Sequence, residues 1–294
     1  MKKGITLAEF YKFGYYNWFP GHMYRATNQL KEQMTNYDVF IEIRDARLPY
    51  SSMNYELDDM IKLTGKKKIV IFNKYDLCNA GVTQKAIKNL EELGMHGFAT
   101  SAINKVNLQR IIRIAREIVP PKFHSSIGTW MMIGGMPNIG KSTIINSLRQ
   151  QAPQIRGKYI TKTSKTATET RHITGFKISK NPHAWLIDTP GLMVPSLIEP
   201  EVAIKLGLVG CIKDTIIGRD IILEFLLAFW KEYDQQEYLN FYGLKHHPET
   251  ATDLILILRK KFLEYDYERT AFRILNDFRM GKLGRATLDQ VDLK

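Results

Sequence analysis

Two short motifs each close an apolar run, and their order restricts the fold more than any other feature of the chain. Gly135-Met136-Pro137-Asn138-Ile139-Gly140-Lys141-Ser142 fits the pattern G-x-x-x-x-G-K-[ST]. In such a loop successive backbone N–H groups cradle phosphate oxygens, the lysine reaches the β/γ-phosphates and the last hydroxyl meets Mg²⁺. Trp130 to Ile133 reads as a buried strand before it and Ser142 to Leu148 as a helix after it, which places the phosphates at a helix N-terminus. The expected phosphate contacts are Gly135, Asn138, Ile139, Gly140, Lys141, Ser142 and Thr143, with Lys141 also a catalytic candidate. The second motif, Asn73-Lys74-Tyr75-Asp76, ends the apolar run Ile69 to Phe72 and precedes the first.

A carboxylate accepts two hydrogen bonds, so Asp76 matches the N1–H and exocyclic amine of guanine and finds no such pair on adenine. Asn73, Lys74 and Asp76 together therefore predict a guanine nucleotide, GTP or GDP. Thr100-Ser101-Ala102 follows another apolar run and is read as a second base loop, in which a backbone N–H meets the guanine O6. Beyond the phosphate loop, Trp185-Leu186-Ile187-Asp188-Thr189-Pro190-Gly191 is an apolar strand ending in a carboxylate and a tight turn. Asp188 is placed to hold Mg²⁺ through water. Gly191, lacking Cβ, can bring its N–H to the γ-phosphate. A switch threonine should complete the Mg²⁺ ligands with Ser142 and Asp188; Thr170 is the choice, with Thr166, Thr168 and Thr174 as competitors.

Base motif first and phosphate loop second is the reverse of the usual GTPase order. The whole series resembles the circularly permuted GTPases of the YlqF/YawG family. Asn17-Trp18-Phe19-Pro20-Gly21-His22-Met23 is similar to the signature of its ribosome biogenesis GTPase A branch, which includes the mitochondrial ribosome-associated GTPases. Asp45-Ala46-Arg47-x-Pro49, Ser51-Ser52-x-Asn54, Gly210-x-Ile212-Lys213-Asp214 and Phe278-Arg279-x-Gly281-x-Leu283-Gly284 follow that family's pattern as well.

The switch departs from the pattern: the family usually has Pro-Gly-Ile-Thr where this chain reads Ala167-Thr168-Glu169-Thr170. Leu192 stands where a classical GTPase has its water-orienting glutamine, and leucine cannot orient water. The resemblance implies His22 as the group that does so, since a neutral imidazole accepts a hydrogen bond from water. The alternative is a structural histidine in a Pro-Gly turn. For Asn138 the resemblance implies a K⁺ ligand, against a side chain that only braces the loop.

The chain carries 42 Lys+Arg against 30 Asp+Glu, a formal +12, which favours polyanionic partners. Arg149, Arg156, Lys158, Lys162, Lys165, Arg171, Lys177 and Lys180 face only Glu169 around the switch. Placed there, contacts with RNA phosphates would be coupled to nucleotide state. Two cysteines, Cys78 and Cys211, argue against a disulfide framework or a zinc site. No apolar stretch approaches the roughly 18 to 20 residues that span a bilayer. Lys2, Lys3 and Lys12 against Glu9 fit a minimal organellar targeting segment, without the arginine and serine richness of a full transit peptide. Likeness to the mitochondrial branch implies the mitochondrial matrix, with peripheral association at the inner membrane; the alternative is a bacterial cytoplasm.

The fold class expected is α/β: a P-loop GTPase domain of permuted motif order over 1–195, then a small all-α domain over 196–294. Short apolar runs at Val39 to Ile43, Lys68 to Phe72, Gly97 to Ala99, Trp130 to Ile133, Phe176 to Ile178 and Ala184 to Ile187 alternate with helical stretches. Afterwards Ile221, Leu223, Phe225, Leu226, Trp230, Leu254, Leu256, Leu258, Phe262, Phe272, Leu275 and Phe278 recur at helical spacing. The function implied is a monomeric GTPase that assembles the large ribosomal subunit, meeting its rRNA and proteins, with hydrolysis stimulated by that particle. Its rivals are a nucleotide-gated scaffold that hardly hydrolyses GTP and a P-loop nucleotide kinase, the latter disfavoured because a kinase has no need of Asn73, Lys74 and Asp76 as a set.

Overall fold

The structure, a computed structural model, describes residues 37–119, 128–151, 174–180, 183–189 and 199–291. Six apolar runs become strands: β1 (Val39–Asp45), β2 (Lys67–Asn73), β3 (His96–Ala99), β4 (Thr129–Gly135), β5 (Thr174–Lys180) and β6 (His183–Asp188). They form one sheet in the order β3-β2-β1-β4-β6-β5. All neighbours are parallel except the edge strand β5, which runs antiparallel to β6. Parallel strands are covered on both faces and so read as near-continuous apolar runs, which is why the runs were visible. The strands extend past those runs because ladder hydrogen bonds use backbone alone, and Thr129 and Gly135 pair as well as Ile133 does.

Helices α1 (Tyr55–Thr64), α2 (Ala80–Glu92), α3 (Leu108–Ile118) and α4 (Lys141–Gln150) accompany the sheet. Asn54 starts α1 by accepting the Leu57 N–H, and Asn79 starts α2 by accepting those of Gly81 and Val82. Register places Phe40, Glu42 and Arg44 on the same face as Lys68, Val70 and Phe72. On that face Phe40 packs with Leu57 and Ile61 of α1, while Val70 and Phe72 pack with Ala86, Ile87 and Leu90 of α2. Burying a side chain such as Phe40 completely contributes about 2 to 3 kcal/mol. Between the two apolar groups, buried Glu42 pairs with Arg44 at 2.9 Å and Lys68 at 3.1 Å, and Lys68 also meets Asp58.

From Glu199 the described chain is helical: α5 (Pro200–Leu208), α6 (Asp214–Ile217), α7 (Arg219–Glu232), α8 (Glu237–Tyr242), α9 (Ala251–Phe262) and α10 (Tyr267–Arg279). Thr250 and Asp253 form a capping box that opens α9. Leu254, Ile255 and Leu258 of α9 are buried, whereas Leu256, two residues round the helix from Leu254, is exposed, as is Phe272 of α10. The Arg279 guanidinium donates to the carbonyls of Gly207 at 2.8 Å and Leu208 at 3.0 Å, closing the end of α5. The compact helical unit ends at Leu288 rather than at 294, and Asp289 and Val291 belong with the sheet unit. No described helix is long and apolar enough to cross a membrane.

Candidate nucleotide site

The parallel strands bring the motifs to one edge of the sheet. By register Asp45 lies beside Asn73, Ile43 beside Gly135, and Ile133 beside Asp188. Ligands of open α/β sheets bind outside these carboxyl ends. The phosphate loop leaves β4 there, and α4 begins at Lys141, one residue before the start read from sequence. Gly140 has φ +98°, and a Cβ on it would lie 2.3 Å from Asn73 Nδ2. Gly135 has φ +145°, and its Cβ would lie 2.4 Å from the Ile43 carbonyl oxygen. Neither position accepts a side chain without moving backbone or the Asn73 amide.

Asn73 is spent on joining loops. Its Nδ2 donates to the Ile139 carbonyl at 2.8 Å, and its Oδ1 accepts the Ala102 N–H at 3.1 Å. The Lys74 ammonium, on a left-handed residue with φ 62°, donates to the Asn138 carbonyl at 2.8 Å and pairs with Asp45 at 2.9 Å. The Asn73 and Lys74 side chains thus reach the phosphate loop, and Asp76, the third residue of the expected base set, stands half-buried in the 3-10 turn Tyr75–Leu77. The Thr100-Ser101-Ala102 loop is tied in as well. Thr100 N–H donates to the Phe72 carbonyl at 2.8 Å, Ser101 Oγ accepts the Asn104 N–H at 3.3 Å, and Ser147 of α4 donates to the Ala102 carbonyl at 2.8 Å.

Asp45, buried completely, holds this arrangement and was not assigned a role from sequence. Its carboxylate meets Arg47 twice, at 2.9 and 2.8 Å, besides Lys74. Burial raises the carboxyl pKa, but the adjacent Arg47 and Lys74 charges outweigh it and hold the group well below the usual carboxylate range. The signal in sequence was a carboxylate at the end of an apolar strand, the same signal that marked Asp188.

Lys141 is buried, and its ammonium donates to the carbonyls of Gly135 at 3.2 Å and Met136 at 2.8 Å, inside the loop. Asp188 is buried too, and among the described residues neither carboxylate oxygen has a formed hydrogen bond. Burial pushes its pKa up to about 6, only partly offset by the Lys141 charge and the Thr189 N–H. A buried carboxylate that feels the Lys141 charge and has no hydrogen-bond partner among the described residues supplies oxygen donors suited to a hard divalent cation; Ser142, the residue after Lys141, is half-buried. Thr143 follows Ser142 in the first turn of α4. Thr174 is the first residue of β5 and pairs with Asp188 along the backbone. His22, Thr166, Thr168, Thr170 and Gly191 lie outside the described residues.

With this geometry, residues 131–260 match a protein family described as 50S ribosome-binding GTPase. Ribosome biogenesis GTPase A of Priestia megaterium is 31% identical over 286 residues, which span 92% of this chain and 96% of that protein. The chain belongs to the YlqF-like family of circularly permuted GTPases. Mitochondrial ribosome-associated GTPase 1 of Xenopus tropicalis is 28% identical, over 93% of this chain and 94% of the relative. The crystal structure of GNP-bound YlqF from T. maritima shares the fold with a TM-score of 0.59 and 22% identity, covering 91% of this chain and 99% of that one. This GTPase therefore reads its motifs in permuted order along a sheet whose strand ends still gather them at one edge. GTPases of this domain generally use Mg²⁺.

Proposed function

We propose that this GTPase is an assembly factor for the large ribosomal subunit, working in mitochondria, and that the maturing particle stimulates its hydrolysis. What carries the nucleotide part is the joining of base and phosphate loops through Asn73 to Ile139 and Lys74 to Asn138. Asp76 selects guanine, while Ser101 and Ala102 border the base. The N–H groups from Gly135 to Thr143 receive the phosphates, and Lys141 exchanges its loop carbonyls for β- and γ-phosphate oxygens. Ser142, Asp188 and Thr170 would hold Mg²⁺, which when bound neutralises charge developing on the phosphates. Gly191 approaches the γ-phosphate and His22 orients the attacking water.

The ribosomal part is supported by relatives named ribosome biogenesis GTPase A and mitochondrial ribosome-associated GTPase 1, and by the basic excess of the chain. Mitochondrial GTPase 1 of Schizosaccharomyces pombe, 28% identical, supports the compartment. The matrix, peripherally at the inner membrane, is the location proposed, and a monomer the state. Asn138, half-buried at mid-loop, offers an amide oxygen suited to K⁺, which we include as an activating ion. The test is the GTPase rate with and without purified large subunits, in K⁺ and in Na⁺ buffers. Subunits should raise the rate, and K⁺ should raise it more than Na⁺. An unchanged rate and unchanged nucleotide affinity with subunits would remove the ribosomal partner; equal rates in the two salts would remove K⁺.

A further inference from the structure

Beyond α10 the chain makes a contact that nucleotide chemistry leaves unused. Asp289 is buried, and its Oδ2 accepts the N–H groups of Tyr50 and Ser51, each at 2.8 Å. Its Oδ1 accepts the Ser51 hydroxyl at 2.5 Å. Two successive N–H groups converging on one carboxylate oxygen make a compact, charge-assisted clamp. Two residues on, Val291 is buried with Ala46, Phe72 and Cys78, so the tail is fixed by apolar burial as well.

The clamped loop is the one that sets Asp45. Ser52 Oγ accepts the Asp45 N–H at 3.0 Å and donates to the Leu48 carbonyl at 2.5 Å. Arg47 follows Asp45 and grips its carboxylate. Asp45 pairs with Lys74, whose ammonium donates to the Asn138 carbonyl of the phosphate loop. Contacts and short backbone steps thus run from Asp289 through Tyr50 to Ser52, then Asp45 and Lys74, to the phosphate loop.

We propose that Asp289 is a positioning residue for guanine nucleotide binding: it holds the Arg47 to Ser52 loop so that Asp45 keeps Lys74 against the phosphate loop. This rests on the reading of that loop as the nucleotide site. Asp289 touches no nucleotide itself. By linkage, binding at the phosphate loop tightens the tail's hold, and release of the tail loosens the nucleotide.

The test is Asp289→Ala in the whole 294-residue chain, measuring binding of a fluorescent GDP analogue together with KM and kcat for GTP. Nucleotide Kd and KM should each rise about tenfold, with kcat at saturating GTP kept within about twofold. A tail that is only structural would lower the thermal midpoint and leave Kd and KM where they were, and that result overturns the proposal. Should Asp289→Ala fail to fold, Ser51→Ala, which removes only the hydroxyl arm, and Asp289→Asn, which removes the charge, are measured in the same way. Unchanged Kd in both would overturn it equally. Wild-type protein that bound no GDP would instead bring down the site reading, and the proposal with it.

Discussion

Among the described residues the buried Asp188 carboxylate has no hydrogen-bond partner, and burying such a group costs stability that some other role must justify. Its folded pKa of about 6 lies above the ordinary 3.8, so between those values the native state binds the proton more tightly than the unfolded chain. Stability contributed by this group therefore falls as pH rises through that window, and the penalty is complete above about 6. Asp188→Asn should make the nucleotide-free protein more stable at pH 7.5 by about 2 to 3 kcal/mol, the gain vanishing near pH 4. Urea unfolding at both pH values measures this; a less stable variant at pH 7.5 would refute the account. With Mg²⁺ and GTP the order should reverse, because only the wild type gains binding free energy through that carboxylate. Gly140 is constrained by geometry instead. In Gly140→Ala the new Cβ would sit 2.3 Å from Asn73 Nδ2 at a φ of +98°. Separating Asn73 from Ile139 should weaken GDP binding about 100-fold, read by fluorescence titration.

At the scale of elements, the end of β1 acts as a bracket for the end of β2. Removing the Asp45 carboxylate leaves Arg47, which is 2% exposed, beside Lys74 with their shared anion gone. Asp45→Ala should therefore cost about 3 to 5 kcal/mol in urea unfolding, well beyond an ordinary surface substitution. In the helical unit, Arg279→Ala uncovers the last carbonyls of α5 and should cost about 2 kcal/mol while leaving GDP affinity unchanged. A parallel loss of affinity would contradict that division. The strands were legible in sequence because burial on both faces makes them apolar throughout, and the motif loops because their chemistry sits within a few consecutive residues. The direction of β5 was not legible, since an apolar run carries no sign of which way it runs. Nor was the bracing by Asn73, Lys74 and Asp45, whose partners lie on other strands and loops. The Asp289 clamp joins residues 238 and 239 positions apart, a separation no local pattern reports.

For the whole molecule, the formal charge of +12 sets the physics of any ribosomal encounter. Each RNA phosphate neutralised by Lys or Arg releases condensed counterions, so affinity falls steeply with salt. The nucleotide pocket behaves otherwise, because its ammonium groups are buried or half-buried and bound to fixed carbonyls, where screening is weak. Salt should therefore separate the two activities. Raising KCl from about 50 to 200 mM should cut the stimulation by large subunits at least tenfold, if several phosphates are contacted, while GDP affinity without subunits changes less than about twofold. The measurement is GTP turnover at subsaturating subunits across a KCl series, with GDP titrations alongside. Stimulation that stayed constant across the series would mean that the basic residues from Arg149 to Lys180 do not meet RNA, and that the particle is recognised through its proteins.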